Sequence, residues 1–180
     1  MPTTNDHRPT TRIGYGFDSH EFQRGIPLKV GGITLPHDKG LGGHSDGDVL
    51  LHAITDALLG AVAAPDIGAL FPPSDPQWKG ADSLVFLREA LKRVHDAGYG
   101  VANMDASLIL AAPKIGPHAV AIRERVAQLL GVHADCVGLK AKTPEGLNLE
   151  KAAIAHVVVL LEEGRNPKKP RRKTGKSERR

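Results

Sequence analysis

The sequence predicts an α/β fold, an α+β sandwich in which a mixed sheet of about four strands carries helices on one face. Two observations lead there. Segments with apolar residues at helical spacing alternate along the chain with short β-branched runs. Aromatics make up only 4 % of the residues while glycine occurs 20 times, a composition that lets helices lie close on a sheet. A chain of 180 residues suffices for one core, expected over residues 12–163, between a disordered leader (1–11) and a disordered basic tail (164–180).

Each element has its own signal. Arg12 to Phe17 reads as a strand that runs into Asp18-Ser19-His20, with Gly14 and Gly16 giving the backbone room. Leu28–Val30 and Ile33–Leu35 read as a hairpin around Gly31-Gly32. Gly40 to Gly43 is expected to be a flexible loop. Ser45 or Asp46 can cap a helix that runs to about Val62. Between residues 65 and 79 four prolines forbid a continuous helix, and a connection of that length tends to be functional. Asp82-Ser83 opens a second helix, to about Ala97 and closed by Gly98. Val101–Ala111 is a strand, Pro117–Leu130 a helix closed by Gly131, and Val137–Lys142 a strand. The apolar run Ala152–Leu161 is open to either helix or strand; its Ala-rich start favours helix.

Charge is divided unevenly. Of the formal +4 of the chain, residues 164–180 contribute +8 (nine Lys or Arg against one Glu), which leaves −4 for residues 1–163. A like-charge run of this kind is expected to be a solvated tail, with at most weak nucleic-acid contact. Thr174-Gly175-Lys176-Ser177 echoes the end of a P-loop, but Pro170 stands where the leading Gly belongs. The single Cys136 excludes an internal disulfide and any Cys-rich zinc motif. No apolar run has the length of a membrane span and the N-terminus lacks a signal-peptide core, so a cytoplasmic protein is expected.

The densest chemistry lies in two short segments. Asp18 and His20 are two residues apart, so on a strand both side chains point to one face. His52 lies in a helical run where Asp48, His52 and Asp56 share one face. One carboxylate and two imidazoles make a three-ligand site with a fourth position open, the pattern of a catalytic zinc. His44 competes with His52 as the third ligand. Asp46 or Asp56 is expected to orient a ligand from behind. His44-Ser45 precedes a helix N-terminus that suits phosphate. Pro113-Lys114 offers a fixed turn and a cation, and Glu145 a carboxylate suited to a hard cation.

These segments, with Asp66-Ile67-Gly68, the run from Phe71 to Ser83, and Pro113-Lys114, occur in an order that resembles the 2-C-methyl-D-erythritol 2,4-cyclodiphosphate synthase family over roughly residues 12–161. The resemblance implies a homotrimer around a central sheet-lined axis, with active sites between neighbouring subunits. It implies zinc on Asp18, His20 and His52, and a second divalent cation, Mg or Mn, on Glu145. His44 and Thr143 are implied as transition-state stabilisers. Substrate contacts are implied for Asp18, Ser19, His20, His44, Ser45, Asp56, Asp66, Ile67 and Gly68. The same holds for Phe71, Pro72, Pro73, Ser74 and Asp75, which border the methylerythritol part. Leu110, Ala111, Ala112, Pro113, Lys114, Ile115 and Gly116 are implied to cradle cytosine, and Lys142, Thr143, Pro144 and Glu145 to meet the diphosphate.

The implied activity is that of a phosphorus–oxygen lyase that releases CMP, in non-mevalonate isoprenoid synthesis. A 2-phosphate attacks the β-phosphorus of a cytidine diphosphate ester within one molecule. A phosphate monoester with a second pKa of about 6 is already ionised at neutral pH, so no general base is needed. The chain departs from the family at Tyr15, where His is common, and at Pro73, where an acidic residue is frequent. The segment Gly146–Ala152 is shorter than usual and lacks an Arg, which implies one phosphate contact fewer.

Overall fold

The computed structural model describes residues 9–147 and 149–165. The expected leader over 1–11 and tail over 164–180 lie largely outside the described residues. Strand β1 (Thr11–Arg24) is followed by β2 (Leu28–Val30), β3 (Ile33–Leu35) and β4 (Lys39–Leu41). Helix α1 (Val49–Ala61), the short α2 (Ile67–Leu70) and α3 (Ser83–Asp96) come next. Then follow β5 (Tyr99–Ile109), α4 (Ala119–Leu130), β6 (Val137–Lys142) and β7 (Ala152–Glu163). Five strands form the main sheet in the order β4-β1-β7-β5-β6, one strand more than expected, and β2-β3 form the expected separate hairpin. Only β5 and β6 pair in parallel, so the sheet is mixed. No described helix is long and apolar enough to cross a membrane.

β7 corrects the helical reading of 152–161. It is the middle strand, paired with β1 on one side and β5 on the other. Its side chains alternate with period two: Ala153, Ala155, Val157, Val159 and Leu161 are fully buried, while Val158 is exposed. The alanines are small because α1 lies over them, not because the segment is helical; Val157 to Val159 supply the β-branched run that suits a pleated strand.

Other differences are local. The expected loop at 40–43 contributes β4, whose Gly40 pairs with Gln23 of β1. Helix α1 is capped by Asp48, not by Ser45 or Asp46. The Asp48 carboxylate is fully buried and accepts from the backbone N–H of Leu51 (3.0 Å), Gly31 (2.8 Å) and Gly32 (2.7 Å). One side chain thus caps α1 and staples the β2–β3 hairpin to it. Between the prolines, α2 and a 3₁₀ turn at Pro76–Trp78 occupy the 65–79 connection.

Gly14 and Gly16 bring β1 directly onto α1. A Cβ at Gly14 would lie 1.9 Å from the Ala57 carbonyl oxygen, and one at Gly16 equally close to that of Ala53. Any side chain there would push the helix off the strand. The contact places His52, one residue before Ala53, beside the strand segment that follows Phe17. The helix-free face of the sheet stays open, with Ile13, Tyr15 and Phe17 exposed by 70, 58 and 48 %.

Candidate metal centre and its pockets

Asp18 and His20 lie on the face of β1 that meets α1, as the period-two reading predicts. Ser19, between them, is exposed on the opposite face. From α1 comes His52, buried. Asp18 Oδ2, His20 Nε2 and His52 Nδ1 form a triangle with sides of 2.8 Å (Asp18–His20), 2.9 Å (Asp18–His52) and 3.0 Å (His20–His52). His44 is exposed and outside this triangle, which resolves the choice of third residue on geometry.

The outer ring nitrogens show what the inner ones present. His20 Nδ1 is 2.6 Å from the Gly42 carbonyl oxygen, which can only accept, so Nδ1 carries the proton and a neutral ring turns a bare Nε2 inward. His52 Nε2 faces the hydroxyls of Ser45 (2.9 Å) and Ser83 (2.8 Å). A bare His20 Nε2 and the Asp18 carboxylate oxygen, 2.8 Å apart, repel each other unless a cation, a metal ion or a proton, stands between them. Ligands on a tetrahedral zinc with bonds of 2.0–2.1 Å sit about 3.3 Å apart, so the triangle fits the ion with a small opening of each side. Mixed nitrogen and oxygen donors suit zinc, and also manganese or iron.

Electrostatics agree with this. Burial opposes ionisation of Asp18, but hydrogen bonds and charge from His20 and His52 outweigh it and hold the carboxyl at about 2. Burial disfavours a charged His20, yet the Asp18 carboxylate outweighs it and raises the imidazole above its usual value. In the absence of metal, a proton on His20 answers the carboxylate. Asp56, half-buried on α1, is raised chiefly by burial; it accepts from the Ile67 N–H at 2.8 Å and so fixes the start of α2.

A cavity of about 240 Å³ adjoins the triangle. His20, His44, Ser45, Ile67, Gly68, Phe71 and Pro73 among the expected residues line it. Asp66 caps α2 through the Ala69 N–H (2.7 Å), and Asp75 caps the 3₁₀ turn through the Gln77 N–H (3.0 Å). Pro72 and Ser74 sit in the same connection without lining the cavity. Trp78 and Phe86, not singled out in the sequence, complete an aromatic wall: Phe71 and Phe86 centroids are 4.6 Å apart, Phe71 and Trp78 5.0 Å. The amphipathic spacing of α3 was the available signal for Phe86.

Most of the remaining expected residues line a second, larger pocket of about 660 Å³. Leu110, Pro113, Lys114, Ile115 and Gly116 form one side, and Lys142, Thr143 and Glu145 the other. Ala111, Ala112 and Pro144 belong to the same loops but not to the lining. Glu145 has φ +50°, left-handed for a residue with a side chain, and its carboxylate accepts from the Thr143 hydroxyl. The two pockets share no lining residue. Across the sheet Asp18 pairs with Ala155, Ala155 with Leu108 and Leu108 with Ala141. Three strand spacings, roughly 14 Å, therefore separate the metal corner from the loop corner.

Similarity to known proteins spans most of the chain. The YgbB family model matches residues 11–162. A 2-C-methyl-D-erythritol 2,4-cyclodiphosphate synthase of Koribacter versatilis is 70 % identical over 151 residues, 84 % of this chain and 97 % of the relative. The chloroplastic synthase of Oryza sativa is 55 % identical over 153 residues, 83 % of this chain and 69 % of the relative. A solved synthase structure in a CDP-bound form superposes with a TM-score of 0.80 at 45 % identity, over 84 % of this chain and all of that one.

Proposed function

This chain belongs to the YgbB family of 2-C-methyl-D-erythritol 2,4-cyclodiphosphate synthases, and from that membership we infer the finer chemistry of its site. The reaction converts 4-diphosphocytidyl-2-C-methyl-D-erythritol 2-phosphate to 2-C-methyl-D-erythritol 2,4-cyclodiphosphate with release of CMP. It is a phosphorus–oxygen lyase step of non-mevalonate isoprenoid synthesis. The observation that carries the reading is the triangle of Asp18, His20 and His52 at the mouth of a half-aromatic cavity.

Asp18, His20 and His52 would hold zinc, and Glu145 a second divalent cation, magnesium or manganese. Bound there, the cations supply Lewis-acid neutralisation of phosphate oxygens. An oxygen of the 2-phosphate forms the new bond to the β-phosphorus, and the bond from that phosphorus to the bridging oxygen of CMP breaks. The chain's own work is to hold two repelling anions in line. His44, exposed at the cavity rim, donates to a phosphate oxygen beside the metal corner. Thr143 does the same from the loop corner, its hydroxyl proton turning to the phosphate from Glu145, to which it donates in the free protein. Phe71, Trp78 and Phe86 exclude water around the methylerythritol part. Lys114 and the backbone of 110–116 hold the cytidine end.

A homotrimer with sites between subunits accounts for two observations. The metal and loop corners are about 14 Å apart in one chain, so one corner from each of two subunits makes a compact site. The open sheet face carries Ile13, Tyr15, Phe17 and Val158, an apolar patch that further copies of the chain would cover.

Phosphorus NMR of the diphosphocytidyl substrate with the protein, Zn²⁺ and Mg²⁺ tests the assignment. CMP and a cyclic diphosphate appear, and a chelator stops both. A folded, zinc-loaded protein that leaves the substrate unchanged overturns it.

A further inference from the structure

We propose that Ser83, oriented by Asp46, is the positioning residue that sets the tautomer of His52 and thereby the affinity of the metal centre. This rests on the zinc reading above. Four elements contribute to the chain of contacts. Lys29 of β2 donates to Asp46 Oδ2 at 2.8 Å. Asp46, in the loop before α1, accepts through Oδ1 from the Ser83 hydroxyl. Ser83, the first residue of α3, is fully buried, with its oxygen 2.8 Å from His52 Nε2. His52 then faces Asp18 and His20 with Nδ1.

Direction follows from what each group can do. An ammonium only donates, and the carboxylate paired with it only accepts. The single hydroxyl proton of Ser83 is therefore committed to Asp46. The lone pairs of Ser83 are left for His52, so Nε2 carries a ring proton, and a neutral ring then presents a bare Nδ1 to the triangle. A bare Nδ1 is what a metal needs, and the other tautomer would place a proton in the triangle. Ser45 also reaches Nε2, at 2.9 Å, but it is only half-buried and no carboxylate fixes its proton, so it tolerates either tautomer.

The backbone keeps the chain in register. The Gly80 N–H donates to the His44 carbonyl at 2.7 Å, and the Asp46 N–H to that of Ala81 at 3.1 Å. The loop that carries Asp46 is thus zipped to the segment that leads into Ser83. Sequence separation conceals this: Asp46 and Ser83 are 37 residues apart.

The test is zinc affinity by chelator competition on the full chain, with the tautomer of His52 read from long-range ¹H–¹⁵N correlations in zinc-free protein. Parent protein keeps Nε2 of His52 protonated throughout. Ser83→Ala weakens zinc binding about 10- to 100-fold and mixes the tautomers, while Ser83→Thr, which keeps the hydroxyl, stays within about 3-fold of the parent. Should Ser83→Ala not fold, Asp46→Asn decides: it frees the Ser83 hydroxyl to rotate and weakens zinc about 10-fold. Parent-like affinity in the variant read, or equal losses in the Ala and Thr variants, overturns the proposal and leaves the function standing. A parent protein that binds no zinc overturns both.

Discussion

The metal corner and the loop corner are built on different principles. Asp18, His20 and His52 project from a strand and a helix whose backbones touch at Gly14 and Gly16, so their positions follow from regular geometry. Thr143 and Glu145 sit at the end of β6 in a loop, exposed, with Glu145 held at φ +50°. The first corner is a rigid receptor formed within one chain. The second is strained and open, and in the proposed trimer a neighbour's metal corner would complete it. A corner on regular elements can hold an ion before substrate arrives, whereas one on a loop can close around a substrate that differs in shape from reactant to product.

Removing one group from each corner gives the largest effects. His52→Ala loses bound zinc and slows CMP release by at least about 10³, since the ion and its alignment go together. Glu145→Gln keeps the full zinc content and slows release by about 10². Metal analysis and phosphorus NMR separate the two. Mixed in equal amounts after dissociation and reassembly, the two inactive variants recover about a quarter of parent activity if each site takes one corner from each of two subunits. No recovery places both corners in one chain's site.

Stability contrasts the corners as well. Asp48→Ala strips three backbone N–H groups of their buried acceptor and releases the β2–β3 hairpin from α1, at a cost of about 3 kcal/mol in urea unfolding. The same unfolding assay on zinc-free protein follows the Asp18–His20 pair with pH. Asp18 moves from 3.8 unfolded to about 2 folded, so its contribution is complete above 3.8 and is lost as pH falls toward 2. His20 is raised above 6.5, so its contribution is complete below 6.5 and is lost as pH rises through the folded value. The parent therefore exceeds Asp18→Asn by at most about 2 kcal/mol between those limits, and the difference vanishes at the acid end. Zinc behaves oppositely: it must displace the His20 proton, so its affinity climbs as pH passes upward through that value. A zinc affinity flat between pH 5 and 8 contradicts the proton-for-metal exchange.

At the loop corner the effect is smallest and of opposite sign. Glu145→Gly relieves a left-handed backbone and stabilises the protein by about 1 kcal/mol while activity falls as in Glu145→Gln. A loss of stability instead means that the loop is held by the side chain and is not strained against it.

Much of the metal corner was legible because its spacings are those of single elements. Asp18 and His20 share a strand face by period two, and His52 sits on a helix whose apolar pattern is plain. Ser83 was legible only as a helix opener, because its hydroxyl meets His52 and Asp46 through contacts 31 and 37 residues apart. Likewise Asp48 read as one of three residues on a helix face, yet it is the buried cap that joins two elements. Ala152–Leu161 misled for a related reason: alanine there answers to the helix packed above it, which local propensity does not contain.

The sequence by itself determined the α/β class, the pairing of a D-x-H strand with a helical histidine, and the family. Each depends on residues close in the chain or on motif order. Tertiary structure alone decided that 152–161 is the central strand, which hydroxyl and carboxylate stand behind His52, and that the two corners lie apart in one chain. Those depend on which backbones can approach, and at Gly14 and Gly16 a single Cβ would have changed the answer.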